Sequence, residues 1–487
     1  MSADVRGLEP KVLWNHFEDL NAVPRPSKKE ERVTAFMRSF GETLGFETEV
    51  DSIGNVLIRK PATSGMEGKM GVVLQSHLDM VHQKNSDTVF DFETQGIESY
   101  VDGEWVKAKG TTLGSDNGMG VAAAMSILSS TDIPHGPIEA LFTVDEETGM
   151  TGAFALQQNW CKGDILLNMD YEDEGELCIG CAGGIDTNIK GSYQKEEVPK
   201  DYKKYHITLK GMKGGHSGVE IHLQRGNSNK VSTHLLWRAS RDFGLRLMRF
   251  DGGSLRNAIP REAFLDVCVP SAKAAEFEAF VKAFEAEKKN DLAVTDPNFV
   301  IELKASSDLN SVLPLEIQKN LLNSIYAAPN GVYKWSNDIE NLVETSTNLS
   351  RVLIEDGSVL VQMLTRSSVD NSKNELARMI ESAFGATDLS VEHAGSYPGW
   401  APNPKSDILK VAQGIYEKLY NKIPEVMAIH AGLECGIIGI THPNLDMIAF
   451  GPTIRNPHSP DEMVNIETVQ KFWKYLLEIL QNIPSKN

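Results

Sequence analysis

Four apolar runs of strand length, at residues 72–74, 138–144, 165–169 and 445–450, each give way to histidine or carboxylate side chains. The first leads into His77-Leu78-Asp79, the second into Asp145-Glu146-Glu147, the third into Asp170, and the fourth precedes a loop carrying His458. Short apolar runs bounded by turn residues read as buried strands. In open α/β sheets, sites collect beyond the carboxyl ends of the strands. A chain with this pattern can therefore gather at one sheet edge donors that lie far apart in sequence.

Between the first two runs stands Gly114-Ser115-Asp116-Asn117-Gly118, followed by the helical Gly120-Val121-Ala122-Ala123-Ala124-Met125. The glycines permit a tight turn, which places Asp116 at or just before a helix start and facing the same mouth. The 487 residues exceed what one core usually serves. Residues 1–186 read as the first part of an α/β catalytic domain with a mostly parallel central sheet. This part opens with helical spacing over 11–46, broken at Val23-Pro24-Arg25-Pro26-Ser27. From 187 to 395 the texture changes to longer alternating strands, such as 205–209, and amphipathic helices, such as 229–238 and 273–287, as expected of an inserted α+β domain. Residues 396–487 then supply the second part of the catalytic domain, with a helix over 406–420 and the strand at 445–450 rejoining the first sheet.

A hydrophobic fraction of 41% and a charged fraction of 24% are those of an ordinary globular protein. The net charge of −19, without a concentrated Lys/Arg run, argues against nucleic acid as a partner. No apolar run is long enough to span a bilayer, and the first ten residues lack the apolar stretch of a secretory signal. Cys161, Cys178, Cys181, Cys268 and Cys435 are odd in number and scattered, which fits a reducing cytoplasm better than a disulfide framework. Cys178-Ile-Gly-Cys181 lacks a second Cys/His pair nearby and reads as structural.

Taken singly, each candidate donor has an ordinary reading: a helix cap for Asp116, a solvated loop for Glu146-Glu147, an exposed loop histidine for His458. Their joint placement after strands points instead to a metal site. Two histidines with several carboxylates suit borderline divalent ions such as zinc, and cobalt or manganese can occupy similar sets. Five ligands, His77, Asp116, Glu147, Asp170 and His458, overfill one catalytic ion but serve two ions about 3.5–4 Å apart, bridged by one carboxylate.

The segments Gln75-Ser76-His77-Leu78-Asp79-Met80-Val81, Thr112-Leu113-Gly114-Ser115-Asp116-Asn117-Gly118, Asp145-Glu146-Glu147-Thr148-Gly149-Met150 and Gly451-Pro452-Thr453-Ile454-Arg455-Asn456-Pro457-His458-Ser459 resemble, in this order, the motifs of the M20 metallopeptidases. The likeness is narrower still to the aminoacyl-histidine (Xaa-His) dipeptidase branch, and it runs nearly end to end. It implies that His77 and Asp170 hold one ion, Glu147 and His458 the other, and that Asp116 bridges them. Asp79 would position His77, and Glu146 would be the general base for a water activated by the ions. The middle domain would be the family's lid. There Gly214-Gly215-His216-Ser217-Gly218 resembles the loop whose histidine stabilises the tetrahedral intermediate, while Asn257 and Arg366 lie in segments resembling those that bind substrate. Gly432-Leu433-Glu434-Cys435-Gly436 resembles a substrate-contacting loop whose individual roles stay open. His82 and His393 match no ligand position. At about two hundred residues the lid is longer than that of many relatives, so His216 can serve its own chain, and both a monomer and a homodimer are compatible with it. The function implied is cytoplasmic, dimetal-dependent hydrolysis of dipeptides, Xaa-His dipeptides such as carnosine included. The alternatives are an N-acyl-amino-acid deacylase, a tripeptidase, or a non-catalytic peptide-binding relative on the same scaffold.

Overall fold

The computed structural model describes residues 3–305 and 308–486. They form two compact units. One takes the chain up to Gly180, Pro402–Ala428 and everything from Leu433; the other takes Cys181–Ala401 and Ile429–Gly432. The second unit thus begins before residue 187, runs past 395, and recruits a short segment from within 396–487.

The first unit is built on an eight-stranded sheet in the order Glu47–Val50, Val56–Lys60, Ile138–Thr143, Val72–His77, Ile165–Asn168, Asp446–Ala449, Glu176–Cys181, Glu425–Ile429. Its central four strands are parallel, with His77 level with Thr143, Gln75 with Asn168, and Ala449 with Asn168. Parallel strands covered on both faces are largely apolar. Accordingly Val73, Leu74, Ala140, Leu141, Phe142, Leu166 and Leu167 are fully buried, each of the larger side chains contributing about 1.5–3 kcal/mol. The expected parallel order holds at this centre, whereas the flanking strands are antiparallel and the sheet as a whole is mixed. One flank is a hairpin whose turn is organised by Asp51, whose Oδ1 accepts the amides of Ile53, Gly54 and Asn55 at 2.9–3.0 Å.

Helices cover the sheet according to their apolar stripes. Lys11–Asn21 buries Leu13, Trp14, Phe17 and Leu20. Ile466–Gln481, capped by Asn465 at the Thr468 amide, buries Val469, Phe472, Leu476, Ile479 and Leu480. Ser115–Ser129 is buried almost all round and lacks a polar face. No helix among the described residues is long and apolar enough to cross a membrane, and all five cysteines are buried.

In the second unit a nine-stranded sheet runs Val300–Ala305, Tyr202–Lys210, Ala263–Pro270, Arg246–Gly252, Val343–Glu355, Ser358–Ser367, Gly183–Ser192, Ser390–Tyr397, with Gly331–Trp335 beside Val343–Glu355. Its described pairings are antiparallel. The helices Ser228–Asp242, Ala274–Asp291, Leu315–Ala327 and Asp370–Ala383 each present a buried apolar stripe. Leu235, Leu236, Phe277, Phe284, Leu321, Ile325 and Ile380 join the sheet residues in one core.

Candidate active site

Because the four central strands run in parallel, their carboxyl ends share one edge, and the donors that follow them meet there. His77 closes Val72–His77, Asp170 comes just after Ile165–Asn168, and Glu146 and Glu147 open a short helical turn after Ile138–Thr143. Asp116 enters from the Gly114 turn. Gly114 adopts φ 70°, and a Cβ there would lie 2.5 Å from Nη2 of Arg25, so only glycine fits. Asp116 itself departs from helical geometry at φ −85°, ψ 109°, within the first turn of Ser115–Ser129. The side chain is thereby released from the helix surface.

The two oxygens of Asp116 face different partners. Oδ1 lies 3.1 Å from His77 Nε2, which is 3.4 Å from Asp170 Oδ1. Oδ2 lies 3.1 Å from His458 Nε2, which is 3.1 Å from Glu147 Oε2. The trios His77, Asp116, Asp170 and Asp116, Glu147, His458 each offer ligand atoms within 4.8 Å of one another, as do His77, Glu146 and Glu147. Asp79, fully buried, sets Oδ1 3.3 Å from His77 Nδ1 and accepts the amides of Glu146 at 3.0 Å and Glu147 at 3.3 Å. It thus spans two of the motif loops. Asp145, at φ 56°, is anchored by Lys28 Nζ at 2.6 Å, by Thr151 Oγ1 at 2.6 Å and by Thr148 Oγ1, which fixes the turn that presents Glu146 and Glu147.

Burial dominates the electrostatics. It pushes the Glu146 carboxyl well above its ordinary value, with Asp170, Glu147 and Glu434 adding like-charge repulsion against an opposing contribution from His77. Burial and Asp116 together raise Glu147 to about 7. Burial also raises Glu434 to about 7 and, with Asp116 and Asp170 beside it, Glu172 to about 9. Asp116 moves the other way, since hydrogen bonds from His458 and His77 outweigh its burial. Those to Asp116 and Glu147 raise His458 to about 11. So many enclosed carboxylates against so few histidines make a site short of positive charge. Glu147 Oε1 is buried without a hydrogen-bond partner. Both features, together with the mixed imidazole and carboxylate donors, fit divalent cations.

Arg25 and Glu462, which help hold this edge together, carry no motif signature, and Glu434 lies in a loop whose individual roles the sequence left open. Arg25, fully enclosed, donates to Leu78 O at 3.1 Å, Asp79 O at 3.0 Å, Gly114 O at 2.6 Å and Asn21 Oδ1 at 3.3 Å. Glu434 accepts from Gln75 Nε2 and Thr143 Oγ1, both at 2.6 Å. Glu462 binds the Asp116 loop. The one sequence hint for Arg25 is a charged residue set between two prolines, and for Glu462 its place four residues after His458.

In the second unit, Gly215–His216 pairs with Ala258–Ile259, and the Ser217 amide donates to Asn257 O at 2.8 Å. The Asn257 side chain is exposed. Arg366 lies on Ser358–Ser367, 6% exposed, with Nη1 3.0 Å from Tyr397 Oη. His216 and Arg366 are neighbours: a Cβ on Gly218 would stand 3.0 Å from His216 Cε1 and 3.2 Å from Arg366 Nε. His216 Nδ1 accepts the amides of Gly218 at 3.2 Å and Val219 at 3.1 Å. Its proton therefore sits on Nε2. Burial, helped by Arg366, lowers its pKa to about 4. His430, from Ile429–Gly432, is held to Ser346 Oγ at 2.8 Å and lowered to about 3 by burial and by Arg366. His393 bonds Thr187 Oγ1 and Glu381, and His82 packs edge-on to Phe92.

A mixed α/β sheet with titratable donors converging at its carboxyl edge is a framework that serves many chemistries, and here residues 73–482 match Peptidase family M20/M25/M40. The chain belongs to this family and is a peptide hydrolase. It is 43% identical over 484 residues to the cytosol non-specific dipeptidase of Escherichia coli (strain K12), covering 99% of this chain and 100% of that one. Among solved structures, aminoacylhistidine dipeptidase from Vibrio alginolyticus superposes with a TM-score of 0.94 at 44% identity, covering 100% of this chain and 99% of the other. Aminopeptidase PepT from Bacillus cereus ATCC 10987 shares the fold at a TM-score of 0.58 and 17% identity, with 98% and 99% covered.

Proposed function

We propose that the chain is a cytoplasmic dimetal dipeptidase that hydrolyses unblocked dipeptides, Xaa-His dipeptides such as carnosine among them. The observation that carries this reading is the two-sided Asp116 carboxylate, with Oδ1 toward His77 and Asp170 and Oδ2 toward Glu147 and His458. His77, Asp170 and Asp116 would hold one ion, and Glu147, His458 and Asp116 the other, zinc being the ion best suited and cobalt or manganese its alternatives. Such ions, when bound, supply Lewis-acid polarisation of a carbonyl and acidify a water molecule.

The protein's own part is proton handling and positioning. Asp79, beside His77 Nδ1, orients the ring so that Nε2 stands toward Asp116 and Asp170, where it would be free to hold an ion. The Glu146 carboxylate takes a proton from the attacking water and delivers it to the amine nitrogen as the C–N bond breaks, leaving a free carboxylate and a free amine. By the resemblance of their segments to the family's lid, His216 would offer a neutral Nε2–H to developing negative charge, and Asn257 and Arg366 would bind substrate, the guanidinium taking a carboxylate. The names of the relatives from Escherichia coli and Vibrio alginolyticus support the dipeptide and Xaa-His choice.

Dialysis against a chelator is expected to abolish hydrolysis of Ala-His and carnosine, and zinc, cobalt or manganese to restore it. Full turnover by metal-free protein would overturn the reading, and peptide binding without turnover under every metal would make the chain a binder. A panel of carnosine, Ala-His, a tripeptide and an N-acetyl amino acid tests the substrate, with exclusive deacylation or exclusive tripeptide cleavage overturning the dipeptidase. For His216, 15N NMR is expected to show the Nε2–H tautomer from pH 8 down to its titration near pH 4. An Nδ1–H tautomer at neutral pH would remove the Nε2–H donor.

A further inference from the structure

Glu462 enters no step of the chemistry above, yet its carboxylate is 2% exposed and saturated with donors. Oε2 accepts the amides of Leu113 at 2.8 Å and Gly114 at 3.0 Å. Oε1 accepts the amide of Ser115 at 2.8 Å, its hydroxyl at 2.6 Å and, more distantly, the amide of Asp116 at 3.3 Å. Four consecutive backbone amides thus wrap one buried anion, and hydrogen bonds to an ionised acceptor are the strong ones. The opposite side of the same loop is held by a buried cation, since Gly114 O accepts from Arg25 Nη2 at 2.6 Å.

What Glu462 adds is a link between two ligands. It lies in the turn that presents His458, where the Glu462 amide donates to Ser459 O at 3.0 Å and the Asp461 amide to Ser459 Oγ at 3.0 Å. His458 is half-exposed and, at φ 60°, stands in the left-handed region, a costly conformation for a non-glycine residue that the turn has to hold. Its Nε2 must also meet Oδ2 of Asp116, which comes from a loop more than three hundred residues earlier.

We propose that Glu462 is a positioning residue: by tying the turn that carries His458 to the loop that carries Asp116, it sets the spacing of the ligands shared by the Glu147–His458 ion. The proposal rests on the two-ion reading. A glutamine in its place would turn an NH2 group against two backbone donors, opening the clamp without changing the shape of the side chain.

Calorimetric titration of metal-free protein with zinc tests it. Wild type is expected to bind two equivalents. In E462Q one equivalent keeps its affinity and the other weakens by about 10–100-fold, the loss typical of a residue behind a ligand. S115A, which removes only the hydroxyl contact, is expected to show a smaller loss in the same equivalent. A merely structural Glu462 would lower the melting temperature of the metal-free protein and leave both affinities as in wild type, which overturns the proposal. If E462Q does not fold, S115A decides alone, unchanged affinities again being the adverse result. Fewer than two equivalents on wild type would instead overturn the two-ion reading.

Discussion

Glu146→Gln is expected to keep both ions and to lose about 10²–10⁴-fold in kcat, the contribution of a well-placed general base. The variant retains size and the backbone amide bonded to Asp79 Oδ1 at 3.0 Å, so the turn that carries Glu147 should be preserved. Only the ability to take a proton is removed. Elemental analysis beside dipeptide kinetics checks the outcome; wild-type-like turnover in a metal-replete variant would dismiss Glu146 as the base.

Asp116→Ala is expected to strip the protein of both ions and to abolish turnover, because this one carboxylate faces both trios. His458→Ala should be milder in metal content, losing one ion and keeping the His77–Asp170 pair intact. The comparison is decisive: if Asp116→Ala and His458→Ala lose the same single ion on gel filtration, Asp116 does not bridge.

The parts of this site written into the sequence are those governed by strand ends. The runs before His77, Glu146 and Asp170 are mostly apolar because parallel strands are covered on both faces, so their ends can be read from the sequence. Asp116 is half-readable: the glycines announce the turn, but not that Asp116 sits inside the first helical turn with extended geometry. His458 follows Asp446–Ala449 only after an irregular loop, and its partners are visible through family resemblance rather than spacing. Arg25 and Glu462 leave no pattern, and Glu434 shows only through the resemblance of its loop and not by its role, because their partners are backbone groups or polar side chains distant in sequence. By charge alone they resemble surface residues. The mixed character of the sheet was also muted, although Asp51-Ser52-Ile53-Gly54-Asn55 is a turn of hairpin type.

The strand Asp446–Ala449 lies between Ile165–Asn168 and Glu176–Cys181, two neighbours in sequence that are held apart in the sheet. A nascent chain emerging from the ribosome therefore carries an open slot in its first sheet until the final portion has been synthesised, and closure must bridge the whole intervening segment. A chain ending before Asp446 would lack both the strand that fills this slot and the loop that carries His458.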